Sequence, residues 1–399
     1  MQQVALSLNV CGKITPVGKL VSSAKQSMSL LSLENAPYFI EGGMSVKLNY
    51  SGDPLPWLLR DAMPDAWGGA LVKHRLRQKG IKKPSFADIL MMTGESGAWR
   101  FSPQTDSTTN ANTIIDWQKT IQQSHQILKG ISLNETMQWL IGSDSLGGAR
   151  PKFFIDLDEQ GNVDYSAEPN QRHWIVKLPS PLDRDDIGVV EYRYNQIARE
   201  CGISIADFSL IEGKYFATKR FDLLDTGNLY TRTLSGLNKQ PHSNSSDNSY
   251  ESVIHWSMQL FSRNNAEEVV RLALFNRLMG NCDDHAKNIS FLCDDHLNWS
   301  LAPAYDLTPN AGLGSQAMSL NRSTSPDLDD YKVVCHRYGI GDEWMNEMIY
   351  RLKHLDGLPD EDIADIKENI EGLDCYGWSV NQRCVIMRGI VAYDSPCFW

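Results

Sequence analysis

The amino-acid sequence predicts an α+β protein with two lobes, in which a small β-rich domain stands at the front and a helical lobe at the back. In the first hundred residues, short apolar runs such as 4–10 and 44–50 are broken by Gly, Pro and Asn, which is typical of strands and turns. After residue 250 the apolar residues follow helical periodicity. With 42% hydrophobic and 22% charged residues in 399, the chain can build a sizeable core.

The elements are expected in a definite order. Two helices, at 65–78 and 85–92, follow the first strands, and a helix at 114–128 follows the polar segment 104–113. Strands at 153–157, 174–178 and 215–221 surround a helix at 189–201. The polar segment 238–248 is expected to be a mobile loop. The helical C-terminal lobe is interrupted once, at 288–299, where two short strands flank a turn, and its helices are expected at 253–261, 266–279, 343–354, 360–371 and 380–391.

These shifts in pattern divide the chain into three predicted domains. Residues 1–106 form a β-rich N-terminal domain, residues 107–222 an N-lobe of alternating strands and helix, and residues 223–399 a helical C-lobe. The order of a β-containing front and a helical back is compatible with a kinase, although it is not specific to kinases.

Composition and charge limit the classes of partner. The formal net charge is −11, from 38 Lys and Arg against 49 Asp and Glu, which argues against a large nucleic-acid surface but leaves room for a local basic patch. No apolar run reaches the roughly 18 residues of a membrane span. The first residues carry no secretory signal, and the eight cysteines form no CxxC pair. We therefore expect a cytoplasmic protein with reduced thiols.

The segment from Asn281 to Asn288, NCDDHAKN, carries the strongest chemical signal. In protein kinases the catalytic loop places a base Asp five positions before a magnesium-binding Asn, and Asp283 and Asn288 have this spacing. A short loop of this length presents a carboxylate to the attacking hydroxyl and an amide oxygen to the metal. A single D-x4-N is common by chance, so the surrounding residues matter.

A second carboxylate follows eighteen residues later, after the expected hairpin. Asp306 ends the segment APAYD, at the position where kinases carry the metal-binding Asp of their D-F-G segment. Leu307 and Thr308 replace Phe and Gly, so the match is one of position. Magnesium prefers hard oxygen ligands, and one Asp, one Asn and the phosphates of ATP would suffice.

Upstream residues could bind the phosphates of a nucleotide. Gly147 and Gly148 precede a strand and would let backbone amides approach phosphates, with Lys152 as a nearby cation. Lys177 closes the strand WIVK, like the kinase lysine that contacts the α- and β-phosphates, and Glu191 in the next helix could pair with it. Taken singly, each has an ordinary interpretation as a turn, a solvated lysine or a favourable helix-start acid. Their order along the chain is that of a kinase.

Five segments together resemble a known family. The segments are GGARPK, WIVKLPS, YFATKRFD, CDDHAKN and LAPAYDLTPN. They closely resemble the HipA-like serine/threonine kinases, which are toxins of bacterial HipBA toxin–antitoxin modules. The likeness extends to 54–68 and 86–103 and so covers nearly the whole chain. It implies a two-lobed, protein-kinase-like fold and an ATP- and Mg²⁺-dependent activity on protein hydroxyl groups.

The resemblance also implies roles for individual residues. Asp283 would be the general base, Asn288 and Asp306 the metal ligands, and Ser145 or Ser143 the serine whose autophosphorylation ejects the phosphate loop. A dianion beside the site of ATP's own phosphates would act against binding by charge alone. The implied nucleotide-binding set is Gly147, Gly148, Ala149, Arg150, Pro151, Lys152, Lys177, Lys219, Arg220, Phe221, Asp222, His285, Lys287, Asn288, Tyr305 and Asp306.

The partners follow from the same resemblance. The family acts with a small helix-turn-helix antitoxin, so this chain would reach DNA only indirectly through that partner, and no membrane is implied. The family's attested substrates are aminoacyl-tRNA synthetases, and the residues do not identify which protein is the target here.

Three alternatives remain at this stage. The tetrad Cys-Asp-Asp-His at 282–285 recurs at 293–296, which could indicate a zinc or dinuclear hydrolase, although Asp-Asp at a hairpin tip is ordinary turn chemistry. A catalytically inactive, kinase-like binding partner would keep the same fold. A small-molecule kinase would share the loop chemistry, and a panel of substrates would separate it from a protein kinase.

Overall fold

The computed structural model describes most of the chain. Its described residues are 2–22, 28–49, 56–104, 114–131, 133, 140, 145–165, 172–262, 264–310 and 315–373. Two compact units are found: the first contains 1–189, 206–231 and 292–298, and the second 190–205, 232–291 and 299–399. Both units are therefore discontinuous in sequence, and the three predicted domain boundaries stay predictions.

Strands and helices are numbered in chain order. The strands are β1 Gln2–Val10, β2 Lys13–Ser22, β3 Met28–Leu33, β4 Met44–Asn49, β5 Glu95–Ser96, β6 Trp99–Ser102, β7 Lys152–Leu157, β8 Val163–Asp164, β9 Trp174–Lys177, β10 Phe208–Ile211, β11 Tyr215–Lys219, β12 Leu223–Leu224, β13 Gly227–Asn228, β14 Tyr230–Thr233, β15 Ser290–Cys293 and β16 Trp299–Leu301. The helices are α1 Trp57–Arg60, α2 Ala66–Gln78, α3 Phe86–Thr93, α4 Trp117–Leu128, α5 Ile187–Glu200, α6 Leu234–Asn238, α7 Tyr250–Phe261, α8 Ala266–Leu278, α9 Leu328–Tyr338, α10 Glu343–Lys353 and α11 Asp360–Leu373.

In the first unit, an antiparallel sheet with the order β4-β3-β2-β1-β6-β5 supports the front of the chain. Alternate residues of β1 are buried, from Val4 to Val10, as expected for a strand with one face on a core. Helix α3 packs on this sheet and α2 packs on α3. Ser85 begins α3 with a capping box, in which its hydroxyl accepts from the Asp88 amide and the Asp88 carboxylate accepts from the Ser85 amide.

A second sheet of the first unit has the order β10-β11-β9-β7-β8 and carries the GGARPK and WIVK segments at the ends of its strands. Its core includes Phe153 and Val176, which face each other across β7 and β9 and are both fully buried. Trp117 at the start of α4 stacks on Tyr215 of β11, with ring centroids 4.5 Å apart. This contact fixes α4 against the sheet.

The second unit has a helical core. Helix α8 is buried on most of its surface, which explains why its apolar residues follow one another instead of forming a stripe. Helices α7, α9, α10 and α11 contribute residues to the same core, together with the larger part of α5. Tyr194 of α5 donates a hydrogen bond of 3.0 Å to the Met279 carbonyl at the end of α8. The end of α8 is thus fixed just before the NCDDHAKN segment begins.

Several sequence-based boundaries need correction. The helix expected at 114–128 begins at Trp117, because the Asp116 side chain accepts from the Lys119 amide and caps it, and Ile114 is 79% exposed before the cap. Helix α9 was not predicted, although Asp327 forms a capping box with Asp330 and Gly339 ends it in the left-handed conformation. The helix expected at 380–391 lies outside the described residues.

The polar segment 238–248 is a loop, as predicted, but it is dense in hydrogen bonds. The buried Asn248 side chain donates to the Pro241 carbonyl, and Asn238 donates to both the Asp247 carbonyl and the Asn248 side chain. Trp256 of α7 donates to the Asn238 amide oxygen at 2.8 Å. The asparagines that make the segment look disordered in sequence are its internal hydrogen-bonding partners.

After β13, the described residues contain three further strands, β14, β15 and β16, which form one three-stranded sheet, and their other long elements are helices. The turn after β15 is built by Asp294, whose carboxylate accepts from the amides of His296 and Asn298 at 2.9 Å each. This is the hairpin predicted from the sequence. In the described part of the chain, no helix combines the length and apolar character needed to cross a membrane.

Candidate functional site

The NCDDHAKN segment forms a tight loop in the second unit, and the spacing of Asp283 and Asn288 is realised as a direct contact. A short 3-10 helix, Ala286–Asn288, turns the chain back, with the Asn288 amide donating to the His285 carbonyl. The Asn288 side chain then donates from Nδ2 to the Asp283 carbonyl at 3.0 Å. This bond fixes the orientation of the Asn288 amide and leaves its Oδ1 without a hydrogen bond from any described residue.

The Asp283 carboxylate is the accessible acid of this loop, since half of its side chain is exposed (50%). One of its oxygens lies 3.8 Å from Nε2 of His285, too far for a hydrogen bond but close enough for electrostatic contact. A carboxylate that is held on a fixed loop and still reaches solvent can accept a proton from an incoming hydroxyl group.

Asp284, the next residue, points the other way and is buried. Its Oδ2 accepts from the Tyr250 hydroxyl at 2.5 Å and from the Gln316 side chain at 2.9 Å, and its Oδ1 accepts from the Ala317 amide at 2.7 Å. Burial raises the pKa of Asp284 to about 6, against the opposite effect of these donors. Asn276 of α8 donates to the Tyr250 hydroxyl and extends the network.

This buried network joins the loop to α7, α8 and the 316–318 segment, and sequence reasoning missed it. The one sequence signal for it is the doubled Asp of the DDH triplet. If the acid that follows Asp283 is buried, its carboxylate needs hydrogen-bond donors of its own. The residues that donate to Asp284 lie 32 to 34 positions from it in the chain, a separation that no local pattern reveals.

The segment that ends in Asp306 is attached to the loop through its tyrosine. The Tyr305 hydroxyl donates to the Lys287 carbonyl at 2.6 Å and lies 2.7 Å from the Ser290 hydroxyl. Asp306 has a φ of +58°, a backbone conformation that non-glycine residues seldom adopt. Strained positions of this kind concentrate at functional sites. Asn281 contributes a weak contact of 3.5 Å from Nδ2 to the Asp306 carbonyl.

A second histidine lies against the loop. The ring of His242, from the polar 238–248 segment, is 5.0 Å from the ring of His285 and tilted by 60°. Nδ1 of His285 is buried and has no hydrogen-bond partner among the described residues. The sequence did not point to His242, since a histidine in a polar stretch looks like an ordinary loop residue.

The Gly147–Gly148 turn lies in the first unit and contacts the start of α2. The Gly148 amide donates to Asp65 at 3.0 Å, the Trp67 amide donates to the Gly148 carbonyl at 3.0 Å, and the Trp67 indole donates to the Lys152 carbonyl at 2.8 Å. An added Cβ at Gly147 would lie 2.7 Å from the Asp65 carboxylate, so a larger residue there would force this side chain to shift. An amide that could bind a phosphate is thus bonded to a carboxylate in this structure.

Two lysines expected at the phosphates lie side by side. Lys152 and Lys177 face each other across β7 and β9, and the Lys152 side chain is nearly buried. Gly148 has a φ of +86°, and a Cβ there would lie 2.7 Å from the Lys152 ammonium. Arg150 instead forms a two-pronged ion pair with Asp183, at 3.1 Å from Nη2 to Oδ1. Ala149 and Pro151 complete the turn, and Leu178 donates to the Pro151 carbonyl.

The segment from Lys219 to Asp222, part of the nucleotide-binding set that the resemblance implies, is stabilised by an internal ion pair. Arg220 binds both oxygens of Asp222, at 3.0 and 2.9 Å. Burial raises the pKa of Asp222, but the Arg220 guanidinium outweighs it and keeps the pKa below its ordinary value. The Arg220 guanidinium also lies 4.7 Å above the Phe154 ring. The carboxylate is therefore ionised and already paired with Arg220.

Within each unit the expected residues come together. The second unit gathers Asp283, His285, Lys287, Asn288 and Tyr305 around one loop, with Asp306 following Tyr305. The first unit gathers the glycine turn with Lys152 and Lys177. Lys177 and Glu191 belong to different units, so their pairing stays a prediction. Ser145 is half-buried just before the turn, and Ser143 lies outside the described residues.

The second unit carries oxygen donors of the kind that magnesium prefers. Asn288 offers an amide oxygen held in place by Nδ2, and Asp306 offers a carboxylate, both of them hard ligands. For a zinc or dinuclear hydrolase the structure offers less. Among the described residues, no three His, Cys, Asp or Glu side chains are grouped so that they could hold a metal ion.

The fold is that of the kinase-like α+β class that the sequence predicted. The chain belongs to the HipA-like C-terminal domain family, whose model matches residues 144–356, more than half of its length. The predicted family is therefore confirmed.

Three known proteins illustrate the similarity. The putative kinase Y4dM of Sinorhizobium fredii is 28% identical over 181 residues, 41% of this chain and 44% of the relative. Toxin YjjJ of Escherichia coli is 25% identical over 284 residues, 64% of this chain and 60% of the relative. The chain thus spans about half of the length of these curated relatives.

Among solved structures, the complex of the Shewanella oneidensis toxin–antitoxin system HipA, HipB and its operator DNA contains a similar chain. The TM-score is 0.60 at 15% sequence identity, with 93% of this chain and 95% of that chain covered. At this identity the likeness shows the fold, and it confirms the predicted HipA-like fold class.

Proposed function

We propose that this chain is an ATP- and Mg²⁺-dependent kinase that phosphorylates serine or threonine hydroxyl groups of a protein. The observation that carries the proposal is the bond from the Asn288 side chain to the Asp283 carbonyl. It couples an accessible carboxylate to an amide oxygen that is free to bind a metal. Phosphoryl transfer needs positioning and charge neutralisation more than covalent chemistry, and this loop supplies both.

Each residue has a separate task in this reaction. Asp283 orients the acceptor hydroxyl group and takes its proton as the new bond to phosphorus forms. Asn288 and Asp306 would hold Mg²⁺, which when bound neutralises charge on the phosphate oxygens. Lys152 and Lys177 would add positive charge toward the phosphates, and the Gly147–Gly148 turn would cover them with backbone amides. His285 supports Asp283 from 3.8 Å.

The proposed regulation follows from the position of Ser145. It stands two residues before Gly147, so a phosphate on its hydroxyl would bring about two negative charges next to the turn that should receive ATP. Autophosphorylation at Ser145, or at Ser143, would then inhibit ATP binding. Mass spectrometry of protein incubated with ATP distinguishes the two serines.

The proposed biological role is that of the toxin of a type II toxin–antitoxin module. It is supported by the family, by a relative named as a toxin, and by the solved complex that contains HipB and operator DNA. A small helix-turn-helix antitoxin would be the partner, and a translation protein such as an aminoacyl-tRNA synthetase the substrate. A cytoplasmic location fits this role.

Transfer of radiolabelled phosphate from ATP in the presence of Mg²⁺ tests the activity. Asp283→Ala and Asp306→Ala should each reduce incorporation by at least about 100-fold, since each removes a group on which the transfer depends. The chain offers a matched control in Asp295→Ala, an acid of the second Cys-Asp-Asp-His tetrad, which should behave like the unaltered protein.

Other outcomes would redirect the proposal. No incorporation by the unaltered protein with any divalent metal would leave a kinase-like binding protein. Transfer to aminoglycosides or other small hydroxyl compounds, but to no protein, would make it a small-molecule kinase. Full activity of both Asp→Ala variants would refute the assigned site.

A further inference from the structure

An unusual distribution of charge marks one face of the first unit. From Ala66 to Lys83, which covers α2 and the residues after it, the chain has six Lys and Arg and no Asp or Glu. From Trp117 to Leu133, which covers α4, it has two Lys and again no acid. At the average density of 49 acids in 399 residues, these two stretches should hold about four. The rest of this acidic protein is therefore even more negative.

The structure brings the ends of these two stretches together. Helices α2 and α4 pack against each other, and at their C-terminal ends the Arg77 guanidinium donates to the Gly130 carbonyl at 3.5 Å. The neighbouring Gln78 side chain donates to the Leu133 carbonyl at 3.0 Å. Lys129 thereby joins the cations that follow α2. We call this surface the basic patch; it consists of the exposed residues Arg77, Lys79, Lys82, Lys83 and Lys129.

Three cations of the patch carry the argument about charge balance. Lys82, Lys83 and Lys129 form no ion pair with any residue in the described part of the chain. The pKa of Lys73, one turn before Arg77, is lowered by burial and then by the Arg77 charge, and the pKa of His74 is lowered by burial and then by Arg77 and Arg75. Cations near the C-terminal end of a helix interact favourably with the helix dipole. One or two cations are enough for that effect, so it does not account for all the cations of the patch.

We propose that the basic patch binds the phosphate backbone of a nucleic-acid duplex directly. The patch contains five exposed cations, and exposed Lys and Arg side chains are the groups that contact phosphates. The exposed large apolar side chain next to the patch in the chain is Ile131, two residues after Lys129, at 47% exposure. A protein partner would need a larger apolar or aromatic centre. A single-stranded partner would need exposed aromatic rings for base stacking, and the two stretches expose none in their described residues.

The proposal goes beyond the proposed function and does not depend on it. By resemblance, the chain was expected to reach DNA only through an antitoxin; the basic patch adds a contact of its own. The patch lies at the C-terminal end of α2, whereas the Gly148 turn contacts its N-terminal end. A helix of 13 residues separates them by about 20 Å, so the patch can change without touching the turn.

Salt provides the first measurement, because phosphate contacts release counterions. With four or five cations engaged, log Kd should change with log salt with a slope of about 4, and affinity should fall about 100-fold between about 50 and about 200 mM salt. The full-length protein is titrated into labelled duplexes of mixed sequence, one of DNA and one of RNA, and fluorescence anisotropy is recorded. Binding to either duplex supports the proposal, and the ratio of the two dissociation constants identifies the natural source of phosphates.

A pair of matched variants locates the contact. In the patch variant, Lys82, Lys83 and Lys129 are all changed to Glu; in the control variant, Lys13, Lys19 and Lys47, which are exposed on the sheet of the same unit, are changed to Glu. Both variants change the net charge by the same amount. The patch variant should bind at least about 10-fold more weakly with a slope lower by about 3, while the control variant stays within about two-fold.

Thermal melts followed by circular dichroism show whether both variants fold. Equal weakening in the two variants, no duplex binding by the unaltered protein, or tighter binding of polyglutamate than of a duplex at equal charge would each overturn the proposal. Asp283→Ala should bind the duplexes as the unaltered protein does. The phosphate-transfer assay therefore tests the proposed kinase activity, and the duplex-binding titrations separately test the basic patch.

Discussion

The chain contains the tetrad Cys-Asp-Asp-His twice, and the two copies lie in different environments. At Cys282–His285 the first Asp reaches solvent, the second is buried, and the histidine lies under another histidine. At Cys293–His296 the first Asp builds a hairpin turn, and the histidine is 80% exposed. The letters agree while the environments differ. The surrounding fold determines the properties of the motif: the first copy leads into a 3-10 turn, and the second forms the turn of a hairpin.

The largest expected difference between the tetrads is in catalysis. Asp283→Asn should lower kcat for phosphoryl transfer by at least about 100-fold, because the amide cannot accept the proton of the acceptor hydroxyl group. Asp294→Asn, at the matching position, should leave kcat within about two-fold. Steady-state kinetics with a peptide or protein acceptor measure both. Equal losses would mean that the first tetrad holds no base.

The second difference is in stability. Asp284→Ala should lower the free energy of unfolding by about 2–4 kcal/mol, since Tyr250, Gln316 and the Ala317 amide would keep buried donors without an acceptor. Asp295→Ala should change it by less than about 0.5 kcal/mol. Denaturant titrations measure the two values, and a mild effect at Asp284 would show that the network is replaceable.

The third difference is in the pH dependence of stability, where Asp284 of the first copy and Asp294 of the second, although not at matching positions, should contribute with opposite signs. Burial raises the pKa of Asp284 from 3.8 to about 6, so the folded state keeps this proton over a range in which the unfolded state has lost it. Stability from this group is therefore present below pH 4 and falls as the pH rises through about 6. Asp284→Asn should remove this fall, of up to about 3 kcal/mol.

For Asp294 the order is reversed. Slight burial raises its pKa, but hydrogen bonds from Asn298 and from the His296 amide outweigh this and leave the pKa below its ordinary value. Its contribution is present at neutral pH and is lost as the pH falls below the ordinary range. Denaturant titrations between pH 3 and pH 7 on Asp284→Asn and Asp294→Asn separate the two signs. Curves of identical shape would contradict both assignments.

The smallest expected difference concerns the histidines. His242→Ala removes the ring that packs on His285 and should lower kcat by about 5-fold with little change in KM for ATP, because only the position of His285 changes. His242→Phe keeps a ring and should recover most of the activity. His296→Ala, in the second tetrad, should have no effect. An increase in KM for ATP with unchanged kcat would instead place His242 in nucleotide binding.

The short-range geometry of the proposed site could be predicted from sequence, because it depends on residues that are close together in the chain. Asp283 and Asn288 are five residues apart, and their contact needs only one turn of 3-10 helix. The strand that carries Lys177 and the hairpin before Asp306 also follow from short patterns of apolar and turn residues. Interactions between residues so close in the chain depend mainly on the local backbone geometry, which neighbouring residues determine.

The tertiary structure alone decided what surrounds these residues. That Asp284 is buried against Tyr250 and Gln316, that His242 covers His285, and that Asp65 meets Gly148 all depend on contacts between residues 32 to 83 positions apart. The positive φ of Asp306 likewise needs a surrounding fold to hold it. The positive charges near Arg77 could be counted in the sequence. That Lys129 lies close to them depends on the packing of α2 against α4. Such packing is determined by the whole hydrophobic core, whereas a turn is determined by neighbouring residues.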